Sequence, residues 1–171
     1  DQPLMRSVLA DLMLDWEGAT RLGLHVAAAF DRMGVEDRAY ARIAVALAKF
    51  LNNKLCPRVT SEAMEALGGI GYVEDTAMPL YYREAPLNGI WEGSGNVICL
   101  DILRTLAREP AAGGALAAQL DGAKGADRRY DAALAAHSAR WPGLPAEAEA
   151  RHFAERTAVL LTASVLLTDA A

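Results

Sequence analysis

Apolar residues recur at helical spacing through most of this chain, and strand-like alternation is nowhere convincing. Leu4, Val8, Leu12 and Trp16 form one row, with Met5, Leu9 and Met13 beside it and Leu22, Val26 and Phe30 continuing it, so a first helix is expected from Leu4 to about Met33. Pro3 suits its first turn, where a missing N–H costs little, and Gly34 closes it. A second helix is predicted from Glu36 to about Leu55, interrupted by Pro57. A third short one is predicted from Thr60 or Ser61, either a plausible N-cap, to Gly68. Helix resumes near Ser94 or Gly95 and runs to Arg108, and two more are expected from Leu116 to Ala136 and from Ala146 to Leu167. The segment Trp141-Pro142-Gly143-Leu144-Pro145 between the last two reads as a tight connection. The pattern predicts an all-α bundle of five or six helices with a long ordered loop over residues 68–93.

With 53% hydrophobic and 23% charged residues, the composition is that of an ordinary globular protein, and 171 residues suffice for one domain with a sizeable core. A net charge of -5 argues against nonspecific polyanion binding as the dominant property. Cys56 and Cys99 lie far apart in apolar surroundings and read as reduced thiols, while His25, His137 and His152 read as solvated or capping, so no metal site is expected. The most apolar stretch, Thr157 to Leu167, is too short to span a bilayer and no charged leader opens the chain, which predicts a cytoplasmic protein without membrane association. The start at Asp1-Gln2-Pro3 and the uncapped end at Ala171 suggest a piece of something larger.

A helical scaffold does not require the segment that begins Gly68-Gly69-Ile70-Gly71-Tyr72, continues through Tyr82-Arg83-Glu84, and closes on Ile90-Trp91-Glu92-Gly93-Ser94-Gly95-Asn96. The glycine cluster follows a helix rather than a strand, so it does not fit the dinucleotide fingerprint; a helix cap and turn is its plain reading, and close approach of a planar ligand to bare backbone is the alternative. Glu92 sits between bulky Ile90-Trp91 and flexible Gly93, just before a helix whose first N–H groups lack internal partners. Apolar neighbours disfavour a carboxylate's charged form and move it toward the range of a general base, whereas the macrodipole alone would also favour a surface glutamate there. Ser94 and Asn96 read equally as N-caps. Arg83-Glu84 reads as a loop-positioning group or a plain ion pair.

Taken in order, Glu62-Ala63-Met64-Glu65-Ala66-Leu67-Gly68-Gly69-Ile70-Gly71-Tyr72, Tyr82-Arg83-Glu84 and Ile90 through Asn96 closely resemble the C-terminal helical domain of flavin-dependent acyl-CoA dehydrogenases, most of all their AidB-type branch, associated with the bacterial response to DNA alkylation. The resemblance runs from Asp1 to about Arg108. It divides the chain into a dehydrogenase-like helical bundle over 1–109 and a helical extension over 110–171 that packs on it as part of the same structural domain. It implies FAD as cofactor and an acyl-CoA as substrate, with Glu92 at the carboxylate position of the base that removes the α proton while hydride leaves the β carbon for the flavin. It implies flavin contacts at Gly68 and Gly69, commonly to a neighbouring subunit's cofactor, and at Ser94 and Asn96. It also implies upstream domains of the same protein that complete the pocket, assembly into a homo-oligomer (dimer or tetramer), and an isolated fragment that is inactive or nearly so.

Departures from the family pattern are part of the reading. Ser94 stands where threonine is usual, Asn96 where glutamine is common and Trp91 where tyrosine is common; Glu65 and Pro3 stand where flavin-contacting glutamines are frequent, with Gln2 one position off. The AidB-type branch also implies an alternative, a flavoprotein domain that binds duplex DNA and has little dehydrogenase activity. Arg104, Arg108, Lys124, Arg128, Arg129, Arg140, Arg151 and Arg156 would supply phosphate contacts, although acidic residues interleave with them. A purely architectural, oligomer-forming bundle is the third reading.

Overall fold

A computed structural model describes residues 2–32 and 34–169; Met33, where the first helix is expected to end, lies outside the described residues. The architecture is all-α, as the periodicity predicts. Six helices of twelve or more residues carry it: α1 (Pro3–Asp31), α2 (Val35–Leu67), α5 (Gly95–Arg108), α6 (Pro110–Asp121), α7 (Arg128–Arg140) and α8 (Ala150–Asp169). Two short ones, α3 (Gly69–Tyr72) and α4 (Met78–Glu84), lie between α2 and α5, with 3-10 turns at Leu87–Gly89 and Glu147–Glu149.

The central element is α2, whose first half is buried nearly all round: Tyr40, Ala41, Ile43, Ala44, Leu47, Ala48, Phe50 and Leu51 are all core. Such a helix shows no single apolar stripe because it has neighbours on most sides. α1 lays Leu22, Val26 and Ala29 against it, spaced four and three apart. α5 contributes Ile98, Ile102 and Leu103, and α6 contributes Ala112, Leu116 and Leu120. α8 packs on α1, α2 and α5 through Phe153, Ala154, Ala158, Leu161 and Val165. Gly18 lets α1 and α8 approach, since a Cβ there would lie 3.1 Å from Thr162 Cγ2.

Three expectations are corrected. Pro57 does not end α2; the helix runs through it to Leu67. An interior proline costs about 3 kcal/mol in an isolated helix, and here α2's burial on several sides offsets it. The Thr60 hydroxyl shares its one hydrogen between the Cys56 and Pro57 carbonyls, at 2.9 and 3.1 Å. Residues 68–93 are not a plain loop but a run of short helical turns, because each of Pro79 and Pro86 opens a helical turn as readily as it ends one. The helix expected from Leu116 to Ala136 is two, α6 and α7, separated by a turn at Gly122 and Gly125, the latter at φ +85°. Asp127 then caps α7, accepting hydrogen bonds from the backbone N–H groups of Arg129 (2.7 Å) and Tyr130 (3.3 Å). The connection through Trp141 and Pro145 is tight as expected, with both residues buried.

Candidate functional site

α2 ends at Gly68, whose φ of +66° is a conformation glycine adopts without steric cost, and its N–H caps the helix by bonding Glu65 O at 2.9 Å. The plain reading of the first glycine is therefore correct as far as it goes. A Cβ built on Gly68 or Gly69 meets nothing within 4 Å, so no packing within this chain requires bare backbone at Gly69, whose φ is ordinary. Gly71 differs: a Cβ there would fall 2.5 Å from Met64 O, so it is bare because the turn folds back on α2.

Beyond α4, the chain returns to α2 and is held there by side chains that sequence reasoning missed. Asn53 donates to Asn88 O at 2.6 Å, and one turn earlier Lys49 Nζ donates to Trp91 O at 3.1 Å and Glu92 O at 2.6 Å. Phe50 and Lys54, on the same stretch of α2, close over Gly95, where a Cβ would lie 2.8 Å from Lys54 Cε. Only tertiary structure brings these positions to residues about 40 further along the chain, and no local pattern signals it.

Glu92 lies at φ +51°, the only non-glycine residue with a positive φ among the described residues, and Gly93 follows at +100°. A left-handed conformation costs an L-residue about 1–2 kcal/mol, and such strain concentrates at functional positions. The Glu92 carboxylate is exposed and makes no hydrogen bond or ion pair among the described residues. Here an expectation is corrected: Ile90 and Trp91 are 65% and 55% exposed, so this chain alone does not desolvate the carboxylate. Ile70, Tyr72, Tyr81 and Tyr82 of the same segment are likewise exposed.

Ser94 occupies the N-cap position of α5, but its hydroxyl makes no capping bond, which leaves that oxygen and the first N–H groups of α5 available. Asn96 Oδ1 accepts a long bond from Arg151 Nη1 of α8 at 3.4 Å, so the extension reaches the candidate site. Arg83 pairs with Glu74 at 2.7 and 3.2 Å rather than acting with Glu84, and this exposed fork holds the guanidinium's proton more tightly and keeps the Glu74 carboxyl below its usual range. A recess of about 470 Å³ lies beside it, lined by Met64, Tyr72, Pro79 and Tyr82.

His152 is exposed as expected, but the other two histidines are not simply solvated. His25 Nε2 lies 2.9 Å from the Tyr40 hydroxyl, and His137 is packed between Trp141 and Phe153. Among the described residues no group of three potential metal ligands occurs, and no helix is long and apolar enough to cross a membrane. Of the basic residues considered for phosphate binding, Arg104, Lys124, Arg129 and Arg140 are engaged with Asp101, Asp121, Asp127 and Glu149.

An all-α bundle with this glycine turn, strained carboxylate and uncapped helix mouth defines a class, and residues 1–107 match the family model described as acyl-CoA dehydrogenase, C-terminal domain. The chain belongs to that family. Among relatives, AidB of Escherichia coli strain K12 is 44% identical over 134 residues, covering 78% of this chain and 25% of AidB. Two solved structures superpose closely. The Bd2924 apo-form matches with TM-score 0.83 at 27% identity, covering 97% of this chain and 33% of that one. Caenorhabditis elegans ACDH-11 in complex with C11-CoA matches with TM-score 0.81 at 25% identity, covering 99% and 33%. The chain thus spans about a quarter to a third of the proteins it matches.

Proposed function

We propose that this chain is the base-bearing part of a longer FAD-dependent acyl-CoA dehydrogenase that introduces a double bond between the α and β carbons of an acyl-CoA thioester. The observation that carries the reading is the backbone at Glu92: a strained, left-handed glutamate held by Lys49 through two main-chain carbonyls, its carboxylate left without a partner. A purely architectural bundle has no use for that strain, because glycine would serve the turn better.

FAD fits the residues present. Gly68 and Gly69 offer bare backbone with open space above it, and the Ser94 hydroxyl, the Asn96 amide and the first N–H groups of α5 are donors that suit an anionic or carbonyl-rich ligand. When bound, FAD supplies the hydride acceptor for the β carbon. A carboxylate oxygen of Glu92 takes the α proton, and the clamp by Lys49 fixes the backbone from which that side chain springs. The exposed surface of Ile90, Trp91, Tyr72 and Tyr82 is covered by upstream domains, and this cover excludes water from Glu92 and supplies the desolvation the chain itself does not. The chain alone therefore turns over little or no acyl-CoA. The outer row of α1, Leu9, Met13 and Trp16, is more than half exposed and suits assembly with further copies or domains, residues 110–171 belonging to the same unit as 1–109.

Replacing Glu92 by Gln in the full-length protein tests this. Turnover of acyl-CoA with an electron acceptor is lost while bound FAD is retained; unchanged turnover refutes the assignment. The alternative, duplex DNA binding, draws less support from the charges, since half of the nominated cations already face carboxylates.

A further inference from the structure

A second cavity lies away from the segment 68–96, in the extension. It is an open cleft of about 400 Å³ lined from α6, α7, the 141–145 connection and α8, with Leu106 of α5, and it has Leu116, Leu120, Leu134, Trp141 and Phe153 as apolar walls and His137 among them. These five walls are otherwise core residues, and their small residual exposure is at most 8%. Ligand sites generally span about 300–1,000 Å³, are mostly apolar, and carry a few placed polar groups.

Hydrogen bonding fixes the state of the polar group. The Thr157 hydroxyl donates to Phe153 O at 2.7 Å, so its oxygen accepts from His137 Nε2 at 2.8 Å. That makes His137 the Nε2–H tautomer and leaves Nδ1 as an acceptor without a partner among the described residues. Burial, helped by the Arg156 charge, holds the imidazole's proton affinity below its usual range, so the neutral ring is the resting form. No lysine or arginine lines the cavity, and the one charged lining residue, Asp121, is an anion paired with Lys124 at 2.6 Å. A carboxylate or phosphate therefore meets no basic group in the lining itself; Arg156, whose charge reaches His137, and Arg140, over the Trp141 ring, both stand outside it. The rings of Trp141 and Phe153 meet edge to face at 5.4 Å, and that of His137 meets Trp141 at 5.0 Å, a lining suited to a flat guest.

The geometry points to a binding site for a small, uncharged aromatic molecule of one or two rings carrying a single N–H or O–H donor, seated among α6, α7 and α8 and bonded to His137 Nδ1. A 150 Å³ apolar cavity is known to take benzene, so a site of about 400 Å³ has room for two fused rings.

Isothermal titration of the chain with indole, with indene (the same shape without the donor), and with indole-3-acetate tests the assignment. Indole and indene both bind, and indole-3-acetate binds at least tenfold more weakly than indole. His137→Phe leaves Thr157 satisfied by Phe153 O and keeps an aromatic wall, and it lowers the indole-to-indene affinity ratio roughly fivefold, the net effect of one hydrogen bond. Ala117→Phe, at an exposed position of α6 on the cavity wall, abolishes binding of both while circular dichroism and melting remain those of the parent. Absence of indole binding, or binding untouched by Ala117→Phe, overturns the site. An unchanged ratio in His137→Phe overturns the role of Nδ1, and equal binding of indole-3-acetate overturns the charge argument.

Discussion

Replacing Glu92 by glycine should make the chain more stable, because the residue occupies φ +51° at a cost that glycine does not bear. Relief of the left-handed conformation is worth about 1–2 kcal/mol, and the greater freedom of glycine in the unfolded chain takes back about 0.5–1 kcal/mol. The exposed carboxylate contributes no bond among the described residues, and the Lys49 clamp reads only main-chain oxygens that glycine also presents. Taken near their midpoints, the two effects leave a net gain of about 0.5–1 kcal/mol. For 171 residues the unfolding entropy is on the order of 0.36 kcal/mol/K, so Tm rises by about 1.5–3 °C. Glu92→Ala serves as the control, since alanine keeps the strain and loses the same side chain; its Tm should match the parent within a degree. Differential scanning calorimetry of the three chains decides the matter. A glycine variant no more stable than the alanine variant would refute the claim that strain is stored at this position.

Other perturbations reach separate parts of the argument. Gly71→Ala drives a Cβ to 2.5 Å from Met64 O and 2.9 Å from Leu67 Cβ, and should cost about 1–3 kcal/mol in urea unfolding, whereas Gly69→Ala should change stability little and, in the full-length protein, weaken FAD retention. Lys49→Met should leave the global melt nearly unchanged but speed amide exchange at residues 90–95, because the clamp bonds Trp91 O and Glu92 O. The depressed proton affinity of His137 means the unfolded chain binds its proton more readily; its contribution is intact above about pH 6.5 and is lost as pH falls through the folded value. His137→Phe should flatten that acid limb of a Tm-against-pH curve. Duplex DNA titrated at low salt should show no binding that weakens steeply as salt is added; such a slope would revive the phosphate-contact reading.

The all-α class was legible because helical spacing is a local property, and the rows of α1 and α5 could be read residue by residue. Helix boundaries were less so. Pro57 carries a local signal for a break, but its effect is set by the helices packed round α2, which spacing does not report. The split between α6 and α7 was hidden because alanine-rich sequence continues a helical pattern through Gly122 and Gly125. In the candidate site, glycines and a carboxylate advertise themselves by type, and Glu92, Gly68 and Gly69 were nominated that way. The side chains that hold the 88–95 segment were not: Lys49, Asn53 and Lys54 look like an ordinary solvated face, and their work depends on contacts some 40 residues away.

That same face explains why a strained glutamate can persist on an exposed loop. A loop tethered only at its ends would relax Glu92 into an ordinary conformation, since about 1–2 kcal/mol favours it. Here three consecutive attachments prevent this: Asn53 to Asn88, Lys49 to Trp91 and Glu92, and Lys54 with Phe50 against Gly95. All arise from residues 49–54 of α2, a stretch anchored in the core by Leu47 and Phe50, which are among the most buried in the molecule. The backbone of Glu92 is thus referenced to the core rather than to the surface of the loop.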